Sequence, residues 1–560
     1  MRLPKGTGQM PISDRLAALG WQAGKVLVSC LLVALAANAR KFYSDDPLPK
    51  VPPLMNVETA VEHDLDDYYD FFLQTFAEPG EQQAKKKGRF EYVPAGAVNT
   101  LGEVPDDPAW FTNRIDSRPM TIDELTQGPR RGLAPSPDGP WTIVSAKTEG
   151  VTPGFTIQDA AGRRYLLKFD PLSNPEMTTA VDVIGPLFFH ALGYNVPENY
   201  LVTFTEDKFT IREGTTVDTP VGGVRPMTGE DVALILRRVP VGENGIRRGV
   251  ASLYLSGVPA GPFRYHDTRP DDPNDIVLHE HRRDLRGLFV FAAWLGHDDS
   301  RAINTLDVHA EENGVKFIKH HLIDFGSILG SASEKANSPR SGNEFMYSFK
   351  PAAIQVLTLG LYVPKWVRLD YQDYPSIGLF DYRIFDPEKY RPEYPNPAFD
   401  NRLPDDTFWG AKKVMAFTDD QIRAIVAQGE YSNPEAEAWL VRCLIERRNI
   451  IGRTYFAKVL PLDNFAVREN RLVFEDLAVK YGFEPGREHQ VEWSRFDNDA
   501  ETHTPIAGAT SFDLPPAVSN GAEGSYFAAR ITGSDASKTV MAYLRKETGG
   551  IKVVGIDRTW

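Results

Sequence analysis

The spacing of apolar residues changes twice along this chain of 560 residues, and that change limits the folds it can adopt. Early on, apolar residues come in short, strand-like runs: Trp141-Thr142-Ile143-Val144, Phe155-Thr156-Ile157 and Tyr165-Leu166-Leu167-Lys168-Phe169. The turn Asp159-Ala160-Ala161-Gly162 makes the last two a hairpin. Further strands are expected at residues 200–204 and 232–238. Between the third strand and residue 200 a helix is expected, with Asn174 as cap, Pro175 and Glu176 in the first turn, and Val181, Ile184, Leu187, Phe188 and Leu192 at helical spacing up to Gly193. Helical patterning then takes over. Residues 275–295 read as one long helix, polar at its start and nearly all apolar from Leu288, as in a helix driven into a core. More helices are expected at 418–427 and 434–458. From about residue 485 the short strand-like runs return, at 490–493, 526–531, 540–544 and 551–556.

Strands, then helices, then strands again imply an α+β chain of several parts. The expected division is a leader at 1–39, an irregular Pro-, Asp- and Gly-rich extension at 40–135, a strand-rich unit at 136–240, a helical unit at 241–460 and a small β-rich unit at 461–560. With 42% hydrophobic and 25% charged residues the bulk of the chain folds as a soluble protein does. Its 76 acidic and 62 basic side chains give a net charge of −14, which repels a phosphate backbone and excludes nucleic acid as a partner. Cys30 and Cys443 are too few for a disulfide framework or a four-ligand zinc site, and no histidine pair has the H-E-x-x-H spacing of a zinc hydrolase. Arg2, Lys5, Arg15 and Lys25 precede an apolar run at 26–37, and Ala37-Asn38-Ala39 has the small-x-small form of a cleavage site. The expected location is outside the cytoplasm, periplasmic or extracellular, with membrane attachment through an uncleaved N-terminal segment as the alternative.

Phosphoryl transfer needs a fixed cation for the nucleotide phosphates, oxygen ligands for a divalent metal and a carboxylate beside the attacking hydroxyl. Lys168, at the end of the third strand, can supply the cation. After the long helix comes His297-Asp298-Asp299-Ser300-Arg301-Ala302-Ile303-Asn304, which places Asp299 and Asn304 five apart. Twenty residues beyond Asn304, past a hairpin expected to turn at Glu312-Asn313-Gly314, stands Asp324-Phe325-Gly326.

These residues resemble the protein-kinase-like superfamily over roughly residues 136–460. Lys168 matches its third-strand lysine, His297, Asp299 and Asn304 its catalytic loop, and Asp324-Phe325-Gly326 its metal-binding turn. The details lean toward atypical branches, such as the phosphoinositide-like, persistence-toxin-like and secretory-pathway kinases. The resemblance implies a two-lobed fold with a β-rich N-lobe and a helical C-lobe. It implies ATP with Mg²⁺ or Mn²⁺, Asp299 as base, and Asn304 and Asp324 as metal ligands. Asp182, deeper in the helix than Glu176, is the preferred acidic partner of Lys168. The glycine-rich loop is replaced by residues 148–154, where Gly150 and Gly154 either face the phosphates or serve as turn glycines. No A-P-E element follows Asp324, so the acceptor hydroxyl is open among protein, sugar and lipid. Two functions follow: an active atypical kinase, or an exported pseudokinase that binds nucleotide or acts as a scaffold without turnover. A third, surface- or carbohydrate-binding role is confined to the C-terminal β region.

Overall fold

The computed structural model describes residues 40–65, 69–77, 84–86, 89–146, 154–218, 223–359 and 361–560. The expected leader at 1–39, with Cys30, lies outside them. Among the described residues no helix is long and apolar enough to cross a membrane.

Strands β1 (Trp141–Ala146), β2 (Gly154–Gln158) and β3 (Arg164–Lys168) form an antiparallel meander. They are joined by β4 (Asn199–Phe204), β5 (Phe209–Ile211) and β6 (Arg247–Leu253) in a six-stranded sheet ordered β4-β6-β3-β2-β1-β5. Because side chains alternate across a strand, Tyr165 and Leu167 of β3 join Trp141, Ile143, Phe155 and Ile157 in one apolar cluster, and Lys168 emerges on the other face. Val250 and Ala251, neighbours on β6, likewise enter two different clusters. Helices α1 (Ile122–Gln127) and α2 (Met177–Leu192) belong to the cluster that holds Val250, and α3 (Gly229–Leu236) adds Val232 and Leu236 to the other.

A short strand, β7 (Val258–Pro259), pairs with the hairpin of β8 (Thr305–Glu312) and β9 (Val315–Leu322). The hairpin turns at Asn313 (φ 52°) and Gly314 (φ 79°), two consecutive left-handed residues of the kind an Asn-Gly turn supplies. The helical part is built on α4 (Arg283–Leu295), buried along its whole length, with α5 (Pro404–Met415), α6 (Asp419–Ala427) and α7 (Pro434–Phe456) around it. α5 crosses α4 closely, because Gly287 leaves room for the Trp409 ring and Gly410 for Val290. The hairpin of β10 (Leu462–Arg468) and β11 (Arg471–Asp476) leads to β12 (Gln490–Asp497), β13 (Thr502–Pro505), β14 (Tyr526–Thr532), β15 (Thr539–Glu547) and β16 (Gly550–Arg558). The last five form a sheet ordered β13-β12-β14-β15-β16, and Val491, Trp493, Phe527, Ile531, Val540 and Leu544 give it a separate core.

Three local expectations are corrected. Residues 232–238 were expected as a strand, and they fall within and just after α3. Val232 and Leu236, one turn apart, are buried while Leu234 between them is exposed, and Asp231 accepts from the Thr228 amide at 2.8 Å to open the helix. A run of five apolar residues satisfies either period, so the cap decides. The long helix expected at 275–295 starts only at Arg283. Upstream, the Asp275 carboxylate accepts from the Arg269 amide (2.6 Å) and pairs with His279 Nε2 (2.7 Å), which holds the chain in turns. The cap expected from Asn174 is also absent, since its side chain donates to the Pro375 carbonyl at 2.8 Å. Asp170 does the work instead, accepting from the Thr179 amide (2.8 Å) and hydroxyl (2.7 Å) at the start of α2.

Candidate active site

Lys168 leaves the end of β3 and reaches two carboxylates at once. Its Nζ lies 3.2 Å from Asp182 of α2 and 2.6 Å from Asp324. Burial alone would lower the lysine pKa, but Asp182 and then Asp324 outweigh it and hold the ammonium charged, well above its ordinary range. Asp182 is sealed in, whereas the Asp324 side chain is 40% exposed. One carboxylate therefore anchors the lysine from behind and the other faces solvent. The alternative partner, Glu176, is committed elsewhere: its carboxylate accepts from the Ser432 amide at 2.9 Å.

The approach of α2 depends on a glycine. Asp182, Gly185 and Phe189 share one face of the helix at spacings of three and four. A Cβ on Gly185 would sit 2.7 Å from Phe325 Cβ and 2.8 Å from Ile328 Cδ1, so only glycine lets the helix pack onto the turn after Asp324. Phe325 is fully buried with its ring 5.1 Å from that of Phe189. Asp324 itself is left-handed (φ 55°), a conformation that costs a non-glycine residue free energy and aims its side chain back toward Lys168.

The 297–304 loop follows α4 directly, after Gly296 ends the helix in a left-handed conformation (φ 67°). Asn304 closes the loop by donating its side-chain amide to the Asp299 carbonyl at 2.8 Å. The Asn304 carbonyl accepts from the Ile323 amide at 3.0 Å, which sets Asn304 beside the residue preceding Asp324. This leaves the Asn304 side-chain oxygen without a hydrogen bond among the described residues, on a residue bonded to the neighbour of the partly exposed Asp324. One amide oxygen and one carboxylate suit a hard divalent cation that takes its remaining ligands from water and phosphate. No group of three or more His, Cys, Asp or Glu side chains suited to a metal occurs among the described residues.

Asp299 forms an ion pair with Arg301 Nε at 2.5 Å, an arginine that sequence reading had not singled out. His297 is buried against Phe189 and Phe325, and burial lowers its pKa despite the nearby Asp299, so it is neutral at pH 7. It is thus a packing residue. Asp298, next to Asp299, is held by the Ser341 hydroxyl, and burial pushes its carboxyl up to about 8.

Lys168, Asp182 and Asp324 thus converge, and Asp299 and Asn304 share one hydrogen-bonded loop. Gly150 lies outside the described residues. Gly154 stands directly opposite Lys168 in the β2–β3 register, where a Cβ would overlap the Leu167 carbonyl. Close strand approach therefore requires that glycine, whatever lies above it.

No family model matches the chain, and no curated protein matches it. Among solved structures it is similar to a proinflammatory kinase of Helicobacter pylori, at 12% identity over 57% of this chain and 99% of that one, with a TM-score of 0.30. It is also similar to the Golgi casein kinase, at 10% identity over 60% of this chain and 76% of that one, with a TM-score of 0.29. The same Golgi kinase with Mn and ADP bound is similar at 10% identity over 73% of this chain and 95% of that one, again with a TM-score of 0.29.

Proposed function

We propose that this chain is an atypical, metal-dependent kinase that transfers the γ-phosphoryl group of ATP to a hydroxyl acceptor. The observation that carries the reading is Lys168, held charged between sealed Asp182 and partly exposed Asp324. A buried cation with one solvent-facing counter-ion is suited to exchange that counter-ion's neighbourhood for nucleotide phosphates and a metal. In this reading the β1–β6 sheet is the N-lobe, the α4–α7 helices are the C-lobe, and the β12–β16 sheet is an appended domain. Lys168 binds the α- and β-phosphates, and Asp182 positions Lys168. Asp324 and the Asn304 side-chain oxygen would hold Mg²⁺ or Mn²⁺, which would neutralise charge on the phosphates. Asp299 orients the acceptor hydroxyl and takes its proton. The leader at 1–39 directs export or anchors the chain, and an N-terminus near Arg40 in the mature protein, read by mass spectrometry, tests that part.

One observation favours a second reading. The Arg301 guanidinium occupies the Asp299 carboxylate, so a protein that binds nucleotide without turnover would show the same geometry. Phosphoryl transfer from labelled ATP to a panel of protein, sugar and lipid hydroxyls separates the two. The kinase reading expects transfer that falls by roughly 10²–10⁴-fold in Asp299→Asn, with nucleotide binding kept. Binding with no transfer to any acceptor supports the second reading, and absence of nucleotide binding defeats both.

A further inference from the structure

A cavity of about 400 Å³ adjoins the 297–304 loop, with Gly296 in its wall and Ser341, the partner of Asp298, beside it. Its lining carries four cations, Lys365, Arg383, Lys389 and Arg447, and two carboxylates, Asp381 and Asp386. Arg383 grips Asp381 at 2.5 Å and Lys389 pairs with Asp386 at 2.6 Å. Lys365 and Arg447 are left with no ion pair among the described residues, so the cavity is cationic in a chain whose net charge is −14.

Arg447 is oriented by neutral groups. Its Nε donates to the Asp381 carbonyl (3.0 Å), and Nη1 to the carbonyls of Ala293 (3.2 Å) and Trp294 (3.3 Å) in the last turn of α4. The guanidinium lies 4.0 Å from the Phe380 ring and 4.4 Å from that of Phe385. These contacts fix the fork without supplying a negative charge, and burial lowers the Arg447 pKa to about 10. Elsewhere in the protein the buried Arg283 has its pKa raised by Asp405 and Asp406 against the effect of burial. Tyr390 lines the cavity too. It is only 4% exposed, its hydroxyl has no partner, and burial holds the phenol protonated. A buried donor left unpaired is costly, and here the unpartnered Tyr390 hydroxyl lines the same cavity as Arg447, whose Nη2 takes part in none of these bonds.

We propose that this cavity binds a phosphate-class oxyanion, free or carried on a small molecule, held by the Nη2 edge of Arg447 and the Tyr390 hydroxyl. Nη2 keeps its N–H donors for phosphate oxygens, and the phenol donates to another. The site is separate from Lys168 and does not depend on the kinase reading.

Calorimetric titration of the full chain with inorganic phosphate, and separately with glycerol 3-phosphate, tests it. Either probe should bind, the tighter one identifying whether the ligand is free phosphate or a monoester. Tyr390→Phe, which removes one oxygen, should weaken binding about ten-fold, Arg447→Gln should abolish it, and Lys168→Met should leave it unchanged. Because Arg447 also caps α4, the Tyr390→Phe result decides if the arginine variant fails to fold. Binding lost in Lys168→Met but kept in Tyr390→Phe would place the phosphate at the candidate active site and overturn the proposal. Absence of binding by both probes at about 10 mM would overturn it as well, since that corresponds to less than about 3 kcal/mol.

Discussion

Two of the buried charge clusters among the described residues differ in whether they are closed. In the first, Arg283 and Arg286 of α4 meet Asp405 and Asp406 at the start of α5. Arg283 Nε lies 3.2 Å and Arg286 Nη1 3.5 Å from the wholly buried Asp406, which also accepts from the Leu403 amide at 2.8 Å. In the second, Lys168 meets Asp182 and Asp324, and Asp324 is exposed. Sequence chemistry alone does not separate them, since both consist of basic and acidic residues far apart in the chain. The closed cluster has its charges matched inside the protein and ties α4 to α5. The open one has a charge facing solvent on a left-handed residue, which suits the proposed binding role better than that of a structural brace.

The largest effect on stability should come from the closed cluster. Asp406→Ala leaves two buried guanidinium groups without this carboxylate, and urea unfolding should show a loss of about 3–5 kcal/mol. Asp324→Asn, in the open cluster, should lose less than about 1 kcal/mol by the same measurement, because solvent screens that charge. Equal losses would erase the distinction.

Next is the glycine that brings α2 to the open cluster. In an ordinary helix Gly→Ala stabilises by about 0.5–1 kcal/mol. At Gly185 the added methyl meets Phe325 Cβ, a rigid neighbour, so Gly185→Ala should instead destabilise by about 1–3 kcal/mol and weaken nucleotide binding by displacing Asp324. A stabilised variant with normal binding would show that the close packing of α2 does not set the site.

A further effect, read as a slope against pH and not as a single loss, lies at the edge of the open cluster. The Asp298 carboxyl is raised to about 8 in the folded chain, against about 4 when unfolded. The folded state therefore binds the extra proton between these values, and stability conferred by neutral Asp298 is complete below about pH 4 and is lost as pH rises toward 8. Urea unfolding of the wild type should show this decline, and Asp298→Asn, which cannot ionise, should flatten it. Parallel pH profiles for the two proteins would mean that Asp298 is ionised across this range.

Much of the open cluster is legible in sequence because each member sits at a punctuated place. Lys168 ends a strand whose alternation is plain, and Asp324 follows a hairpin announced by Asn313-Gly314. The α+β composition and the C-terminal strands, with strong apolar alternation, can also be read directly. What escapes is set by tertiary contact. Gly185 looks like a mild helix defect until Phe325 is placed against it. Arg301 resembles any loop arginine until it meets Asp299. β6 carries Arg247-Arg248-Gly249 at its start, which hides a central strand, and Arg248 is polar there because it donates to Thr179 at the α2 start, at 2.8 Å. α5 opens with Pro404-Asp405-Asp406, a helix start that reads as a loop in a Pro- and Asp-rich stretch.

The central claim, that the open cluster is a metal-dependent nucleotide site, is tested most directly by titrating the full chain and Asp324→Asn with ATP, each with and without Mg²⁺. The account predicts that Mg²⁺ tightens ATP binding in the wild type and that Asp324→Asn, still folded, loses this gain, because a charged ligand of a hard cation becomes a neutral one. ATP binding that is indifferent to Mg²⁺ in both proteins, or a full Mg²⁺ effect surviving in Asp324→Asn, would contradict it.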